Sequence, residues 1–596
     1  MGRFQLFCGL SYILQVVHGF QSPVINLRTA ESTVMAPSKS SLSFKMTLTE
    51  TSTTSVESAE FQGRPLGNFE KYLSGTRRES ENVVISHLSL AVVSDTTDSL
   101  VSEISLLETL EAVMNRHCLL RSCVSGEGKP ELEPAPMVRI GDLDPPTWVP
   151  APLGAKGLAP KVLQTIQVDG SDEEAFQAAW QKEFVWQLDN ASYNKKTGPL
   201  WRLTWLPQAG AQRHALLFAF NHAISDQISA NMILDEVLTS LSSSKSKTAA
   251  LAEAFGPAPN NGQLPPSVEE TVGAGGLQLG TARYALIQTI NGAKGVTLLP
   301  DRIKKRLSQK EAEIKELKKE QPELAEEELP AIVPEEYLSK NRNTFIELAT
   351  LKASKLAALR DLCRREGVTV SAALAAASLM ATSDVAHDTT TTTTTRGSPK
   401  SQLYKFLLSV DLRRFGDSSG ADWTKGAVAC AGGAVDFVVP VTEKAASEFL
   451  HGDSTQMKGF WDLARTCRKE ALEFIGTNFV RETVAMFDWG MKYVDIGEIM
   501  NDEADSKKAL GRLFTCGVSN MGVYKGHDYG SINLEKIHYA TSHTITGTLY
   551  QLSCGTVNSE LHLTFQFTEP LVTRQEGKEF CEKFCAIIDS VSDSKN

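Results

Sequence analysis

Hydrophobic and polar positions along the chain predict both strands and helices. Residues 215–220 form an unbroken apolar run, which is typical of a strand that is covered on both faces. After a short polar segment, apolar residues return at helical spacing, at Ile228, Met232, Ile233, Leu234, Val237 and Leu238. The pattern therefore predicts a strand, a turn and a helix in succession over residues 215–238.

The C-terminal part of the chain alternates between apolar and polar residues. Leu561, Leu563, Phe565 and Phe567 are separated by polar residues, and this period of two predicts a strand with one apolar face. Residues 548–553 precede it and 555–559 form a turn, so we predict a hairpin, followed by an amphipathic helix over 578–588. Both halves of the chain thus favour an α/β fold, with mixed sheets and helices.

Three stretches differ from the rest of the chain in composition. Residues 240–276 are rich in Ser, Pro, Gly and Ala, which predicts a surface linker. Residues 301–328 carry dense Lys and Glu, which indicates an inserted helix with a charged, solvated face rather than a binding site. The threonine tract at 389–395 predicts a surface loop.

Composition favours a folded enzyme with two cores. The chain has 596 residues, of which 42% are hydrophobic and 22% charged. Its net charge of -11 argues against nucleic-acid binding. The ten cysteines form no C-x-x-C pair and no metal-ligand spacing, so we expect reduced thiols, with neither a metal site nor disulfides.

The N-terminus resembles a bipartite targeting leader. Arg3 and an apolar stretch over residues 4–17 predict a signal peptide over 1–19, which is too short to span a membrane. Residues 20–54 are rich in Ser and Thr with few acidic residues, as in the transit peptides of algae with complex plastids. We therefore expect a plastid location. The alternative is the secretory pathway, which the Asn190-Ala191-Ser192 sequon permits.

The turn after the 215–220 strand carries the candidate catalytic group, His222. A neutral imidazole can take a proton from a hydroxyl as it attacks a carbonyl. Asp226 follows four residues later, where its carboxylate is suited to fix the loop by pairing with an arginine. The alternative is a histidine satisfied in the core and an aspartate that caps a helix.

Residues 221–227 resemble the H-H-x-x-x-D-G signature of the chloramphenicol-acetyltransferase-like superfamily. This superfamily includes condensation domains, plant BAHD acyltransferases, wax-ester synthases and alcohol acetyltransferases. The second histidine of the signature is catalytic, and it maps to His222. Asn221 stands in place of the first histidine and Gln227 in place of the glycine.

Further segments resemble alcohol O-acetyltransferases and wax-ester-synthase-like acyltransferases, in the same order along the chain. They are residues 64–70, 117–121, 198–203, 367–381, 408–414 and 516–522. The resemblance spans about residues 60–590 and implies two chloramphenicol-acetyltransferase-like lobes, each a mixed β-sheet with flanking helices, around a central channel. It implies an N-terminal lobe over 60–240, a linker with the charged insertion over 241–340, and a C-terminal lobe over 341–590.

The resemblance also implies roles for residues in the second half. The superfamily pairs its aspartate with an arginine from that half, which implies Arg413 as the partner of Asp226, with Arg414 as the second choice. Both arginines could instead end a strand in solvent. Ser519 and Asn520 match a turn near the donor channel, so we expect them to contact the acyl donor; the alternative is a turn without a ligand.

The implied reaction is direct transfer of an acyl group, most simply acetyl, from acyl coenzyme A to an alcohol. His222 would be the general base, with acyl-CoA as co-substrate, no bound cofactor and no metal. The alternatives are an amide-forming condensation enzyme that acts on carrier-bound substrates, and a catalytically silent relative that binds a lipid or pigment. We expect a monomer whose partners are small molecules, with a plastid pigment such as a xanthophyll alcohol as acceptor.

Overall fold

The computed structural model describes residues 61–74, 85–96, 101–126, 130–132, 139–142, 145–169, 172–210, 212–272, 296–320, 343–386, 401–415, 426–451, 454–475, 480–482, 484–485, 488, 509–543 and 547–594. The strands are β1 (Arg64–Pro65), β2 (Ser86–Asp95), β3 (Ser122–Ser125), β4 (Pro130–Leu132), β5 (Arg139–Asp142), β6 (Thr147–Pro150), β7 (Leu163–Thr165), β8 (Trp201–Pro207), β9 (Arg213–Asn221), β10 (Asn343–Leu351), β11 (Ser401–Asp411), β12 (Gly432–Thr442), β13 (Arg512–Val523), β14 (Ile532–Thr541), β15 (Gly547–Val557) and β16 (Glu560–Glu569). The helices are α1 (Asn68–Ser74), α2 (Glu103–Arg116), α3 (Gly154–Val162), α4 (Glu173–Asn190), α5 (Gln227–Ser242), α6 (Lys247–Phe255), α7 (Val268–Thr271), α8 (Asp301–Glu320), α9 (Ala353–Arg365), α10 (Val370–Val385), α11 (Ala445–His451), α12 (Ser454–Ile475) and α13 (Arg574–Asp593). The predicted leader and the threonine tract at 389–395 lie outside the described residues.

Two mixed sheets form the framework and confirm the predicted α/β fold of two lobes. The N-terminal lobe has a five-stranded sheet in the order β14-β2-β9-β8-β7, and the C-terminal lobe has a six-stranded sheet in the order β10-β16-β15-β13-β11-β12. Strands β7 and β8 pair in parallel, as do β11 with β13 and β13 with β15, whereas the other pairs in these two sheets are antiparallel. Helix α10 is mostly apolar and is buried from Ala372 to Val385, which is typical of a helix at the centre of a core.

One strand crosses between the lobes. β14 belongs by sequence to the range 341–590 that was assigned to the C-terminal lobe, yet it pairs along its whole length with β2 at the edge of the N-terminal sheet. The next strand, β15, returns to the C-terminal sheet. The lobes are therefore interlocked, and the seam between them is held by the backbone as well as by side chains.

The predicted C-terminal hairpin is present, with its turn at Asn558 and Ser559 instead of at 555–559. The polar positions of β16 are buried like the apolar ones, because this face packs against β14. His538 Nδ1 lies 3.0 Å from Thr564 Oγ1, and Gln566 Nε2 donates to the carbonyl of Thr541 at 2.8 Å. The apolar residues of β16 thus face the core of the C-terminal lobe, and its polar residues face the seam between the lobes.

The linker region contains more regular structure than its composition predicts. Helices α6 and α7 lie within residues 240–276, and α8 forms the first part of the charged insertion. The insertion was expected to be a solvated face, but its N-terminal turns dock on α13. There Arg302 Nε lies 3.1 Å from Glu576 Oε1, and Ile303 is buried. Among the described residues, no single helix is long and apolar enough to cross a membrane.

Candidate active site

A cavity of about 380 Å³ lies at the seam of the two lobes. Residues from both lobes line it, including His87, His222 and Gln227 from the N-terminal lobe and Ser519, Gln551 and Ser553 from the C-terminal lobe. Much of the remaining wall is apolar, with Ile228, Leu412, Val435, Phe474 and Val480 among the residues that face it. The cavity can therefore hold a largely hydrophobic molecule that has a few polar groups.

His222 lies on this cavity with one ring nitrogen fixed and the other available. Strand β9 ends at Asn221, and the ring of the next residue bends back so that Nδ1 lies 2.8 Å from the carbonyl oxygen of Ser225. Because a carbonyl only accepts, Nδ1 carries the hydrogen and Nε2 keeps its lone pair. Burial lowers the pKa of His222 below 6.5, although Ser225 and Asp226 act in the opposite direction. The neutral ring is thus a base at neutral pH.

Asp226 faces away from the imidazole and forms a bidentate ion pair with Arg413. Arg413 Nη1 donates to Asp226 Oδ2 at 2.7 Å and Nη2 donates to Oδ1 at 3.1 Å. Both side chains are buried. Asp226 is also the N-cap of α5, accepting from the backbone N–H of Ser229. Although burial alone would raise the pKa of Asp226, the Arg413 guanidinium and backbone donors hold it below 3.8.

A segment of the C-terminal lobe completes this lock. The backbone N–H of Ala431 donates to Asp226 Oδ2 at 2.8 Å, and Arg413 Nη2 donates to the carbonyl of Ala429 at 2.9 Å. Ser229 Oγ bridges the same carbonyl and the Arg413 guanidinium. The turn that carries His222 is therefore tied to the opposite lobe. Arg414, the second choice from the sequence, is exposed and ends the strand region in solvent.

Cys430 lies beside the imidazole, with its sulfur 3.7 Å from His222 Nδ1. That nitrogen already carries the hydrogen it donates to Ser225, so it cannot accept the thiol proton. Burial also raises the pKa of the Cys430 thiol well above 9, which leaves it protonated. The geometry therefore disfavours a cysteine nucleophile and an acyl-enzyme.

Gln227, which replaces the glycine of the signature, joins a hydrogen-bonded group on the cavity wall. Its Nε2 donates to Asn231 Oδ1 at 2.8 Å and to Ser89 Oγ at 3.1 Å. Its Oε1 lies 3.1 Å from His87 Nε2, so the His87 nitrogen is the donor. The His87 ring in turn stacks on the His222 ring, with 5.4 Å between centroids. The larger side chain at 227 thus supports a second imidazole behind the first.

Ser519 and Asn520 lie on β13 at the cavity, but the two side chains differ in how they are used. Asn520 Nδ2 donates to Ser371 Oγ at 3.1 Å and its Oδ1 accepts from the backbone N–H of Gly522, so its amide fixes the strand end. Tyr539 donates to the carbonyl of Ser519 at 2.7 Å. The Ser519 hydroxyl lies at the cavity wall, 3.1 Å from the same phenol oxygen.

Sequence patterns did not point to several side chains of this site. His87 and Tyr539 lie on strands β2 and β14, and only the pairing of those strands brings them to His222. Gln227 was visible as a departure from the signature, which was the one available signal. Among the described residues there is no group of three His, Cys, Asp or Glu that could hold a metal ion.

A family model described as alcohol acetyltransferase matches residues 171–592, so the motifs at 64–70 and 117–121 precede the matched range. No curated protein matches the chain.

Solved structures resemble this chain in fold. Trichothecene 15-O-acetyltransferase from Fusarium sporotrichioides is 12% identical, with a TM-score of 0.57 over 89% of this chain and 94% of that one. The first condensation domain of the calcium-dependent antibiotic synthetase, in complex with a substrate analogue, is 12% identical, with a TM-score of 0.51 over 89% and 96%. At these identities the likeness shows the shared two-lobed fold alone.

Proposed function

This chain belongs to the alcohol acetyltransferase family, and from that premise we propose that it transfers an acyl group, most simply acetyl, from acyl coenzyme A to an alcohol. The family supports acyl transfer to an alcohol, with small molecules as substrates. The single observation that carries the reaction is the state of the His222 ring: a carbonyl holds its Nδ1, its Nε2 has no hydrogen-bond partner among the described residues, and the residue lines a cavity between two lobes.

In the proposed reaction, His222 Nε2 takes the hydroxyl proton as the alcohol oxygen attacks the thioester carbonyl carbon. A C–O bond forms, and collapse of the tetrahedral intermediate breaks the C–S bond. The imidazolium returns the proton to the departing thiolate, so the base is regenerated. Among the described residues, the Asp226 carboxylate accepts hydrogen bonds from Arg413 and from the backbone of its own helix, and none from the His222 ring. Its proposed role is therefore to hold the turn.

Ser519 is our proposed contact for the acyl donor, because its half-buried hydroxyl lies at the cavity wall on the C-terminal lobe. Asn520 would act indirectly, since its amide is used to anchor β13 to Ser371. We propose a plastid pigment alcohol as acceptor on the basis of the leader sequence alone. A knockout in which the acetylated fraction of extracted pigments is unchanged would rule out that acceptor.

The direct test is to incubate purified protein with acetyl coenzyme A and a panel of alcohols, and to measure both thiol release and ester. We expect thiol release that depends on the alcohol and equals the ester formed. A catalytically silent binding protein would retain its ligand and form no ester. Thiol release without ester would indicate hydrolysis instead of transfer.

The pH dependence should follow the lowered pKa of His222. The imidazole must be neutral to accept a proton, so activity is present above its pKa and lost below it. Because burial moves that pKa below 6.5, we expect the acid limb of kcat/KM to lie below pH 6.5. A pH–rate profile checks this, and an acid limb at or above that value would contradict a buried base.

At the acid end of the pH–rate profile, unfolding of the protein should also reduce the activity. Burial lowers the pKa of His87, His538 and His543 to about 3, whereas the unfolded side chains have pKa values of about 6.5. The unfolded chain therefore binds protons that the folded chain does not, and stability declines as the pH falls from about 6.5 towards 3. Measuring Tm at each pH separates this loss from titration of the base.

A further inference from the structure

Strands β13 and β15 of the C-terminal lobe present polar side chains to the cavity because of their pleat. On β15, Tyr550, Leu552 and Cys554 point into the core of the lobe. Gln551 and Ser553 lie between them, and both line the cavity. On the neighbouring β13, Cys516 and Val518 are likewise in the core, whereas Ser519 lines the cavity. One face of this sheet is thus apolar and the other presents amide and hydroxyl groups to the cavity.

Gln551 occupies a space that a glycine leaves open. Gly517 is its partner across the β13–β15 pair, and a Cβ at Gly517 would lie only 2.7 Å from Gln551 Oε1. Gln551 Nε2 donates to the carbonyl of Leu552 at 3.2 Å. Its Oε1 has no hydrogen-bond partner among the described residues, although the side chain is only 4% exposed. A buried acceptor without a donor is costly, so this amide is suited to a ligand group.

A hydroxyl side chain lies beside this amide on the same face of β15. Ser553 follows two residues after Gln551, is buried and lines the cavity. Ser553 also pairs with Ser519 on β13. We refer to Gln551 and Ser553 as the β15 subsite. No member of it carries a charge, so it is matched to a neutral polar group.

Contacts through two rings connect this subsite to the catalytic histidine. His222 stacks on His87, and the His87 ring lies 6.4 Å from the Tyr539 ring. The Tyr539 hydroxyl reaches the carbonyl of Ser519, the partner of Ser553. His222, Gln551 and Ser553 all line the same cavity, so a single bound molecule can contact both the subsite and the imidazole.

We propose that the β15 subsite binds a second hydroxyl of the alcohol acceptor, so that the preferred acceptors are diols with an apolar body. This assignment rests on the proposed function. The subsite is too deeply buried for the carrier end of an acyl donor, which must extend to solvent, and too polar for a hydrocarbon acyl tail. A hydroxyl of the acceptor can donate to Gln551 Oε1 and accept from a serine, whereas an ether oxygen can only accept.

The experiment compares kcat/KM for a series of α,ω-diols with that for 1-alkanols and diol monomethyl ethers of the same lengths. The purified protein and acetyl coenzyme A are used throughout. We expect a preference for the diol of at least about tenfold at one range of lengths, well above the twofold expected from its two reactive ends. Gln551→Leu and, separately, Ser553→Ala should reduce that ratio by about tenfold.

Gln566→Leu is the matched control. Gln566 pairs with Gln551 across the β15–β16 hairpin and is buried, but it lies outside the residues that line the cavity. This variant should keep the preference for the diol. Ser553→Ala removes one oxygen only, so it tests the subsite even if Gln551→Leu does not fold.

Three outcomes would overturn the assignment. Esters formed from all alcohols without preference for the diol would remove it and leave the proposed function intact. No ester from any alcohol would remove the proposed function and this assignment together. The third outcome concerns the donor, compared as the acetyl thioester of N-acetylcysteamine and that of a simple alkyl thiol. If the variants change the ratio of kcat/KM between these two thioesters and leave the diol ratio unchanged, the subsite binds the donor instead.

Discussion

Replacing His222 with alanine is expected to lower kcat/KM for ester formation by about 10²–10⁴-fold, because it removes the group that accepts the hydroxyl proton. The fold should survive, since the imidazole is only partly buried and its shortest hydrogen bond is to a backbone carbonyl of its own turn. Ester formation from acetyl coenzyme A measures the loss, and a thermal melt checks the fold. His222→Gln should be no better, because an amide cannot act as a base.

A matched histidine provides the control for this substitution. His451 is exposed at the end of α11, where its Nδ1 contacts the carbonyl of Ser447 at 2.8 Å, a contact of the kind that His222 makes. His451→Ala should keep wild-type activity. If His222→Ala retained activity within about twofold of wild type, the proton would have to leave by another route and the proposed mechanism would be wrong.

Replacing Arg413 with methionine is expected to cost about 3–5 kcal/mol of unfolding free energy, because it leaves the Asp226 carboxylate buried without its cation. Asp226→Asn should cost less, because Arg413 Nη1 still lies 3.3 Å from the carboxylate oxygen Asp411 Oδ1. The double variant should be more stable than the sum of the two losses predicts, because neither charge is then left alone. Urea unfolding at neutral pH measures all three proteins.

The adjacent residue is the control for this pair. Arg414 has the same charge and lies next to Arg413 in the chain, but it is exposed. Arg414→Met should therefore change the unfolding free energy by no more than about 0.5 kcal/mol. Equal losses from Arg413→Met and Arg414→Met would show that the ion pair does not hold the turn. Activity of Arg413→Met should fall as well, because the pair fixes the turn that carries His222.

The strand, turn and helix around His222 could be predicted from the sequence because their hydrophobic periods are strong and local. The pairing of Asp226 with Arg413 was reached only through resemblance to a family, since the two residues are far apart in the chain and no period connects them. Two further partners of the pair, the carbonyl of Ala429 and the N–H of Ala431, are backbone groups. Nearly every residue has a backbone N–H and a carbonyl, so the side chains in the sequence do not show which of these groups will bind the pair.

Other parts of the site could not be predicted because they depend on which strands become neighbours. Gln551 is one polar residue in a mainly apolar run, and its position at the cavity follows from the β13–β15 pairing and from Gly517 beside it. The charged stretch at 301–328 was expected to be solvated from its composition. This stretch docks through an ion pair between Arg302 and Glu576, a residue of the last helix. The composition of the stretch itself does not indicate that Glu576 lies beside it.

The crossing of β14 also bears on how this protein is made. The N-terminal sheet has its edge at β2, and the strand that covers that edge, Ile532–Thr541, is synthesised late. While the ribosome is still translating the second half, the backbone of β2 has unpaired N–H and C=O groups that can recruit a foreign strand. The nascent chain thus remains exposed to aggregation for most of translation, and two halves produced from separate genes would each lack part of a sheet or carry a surplus strand.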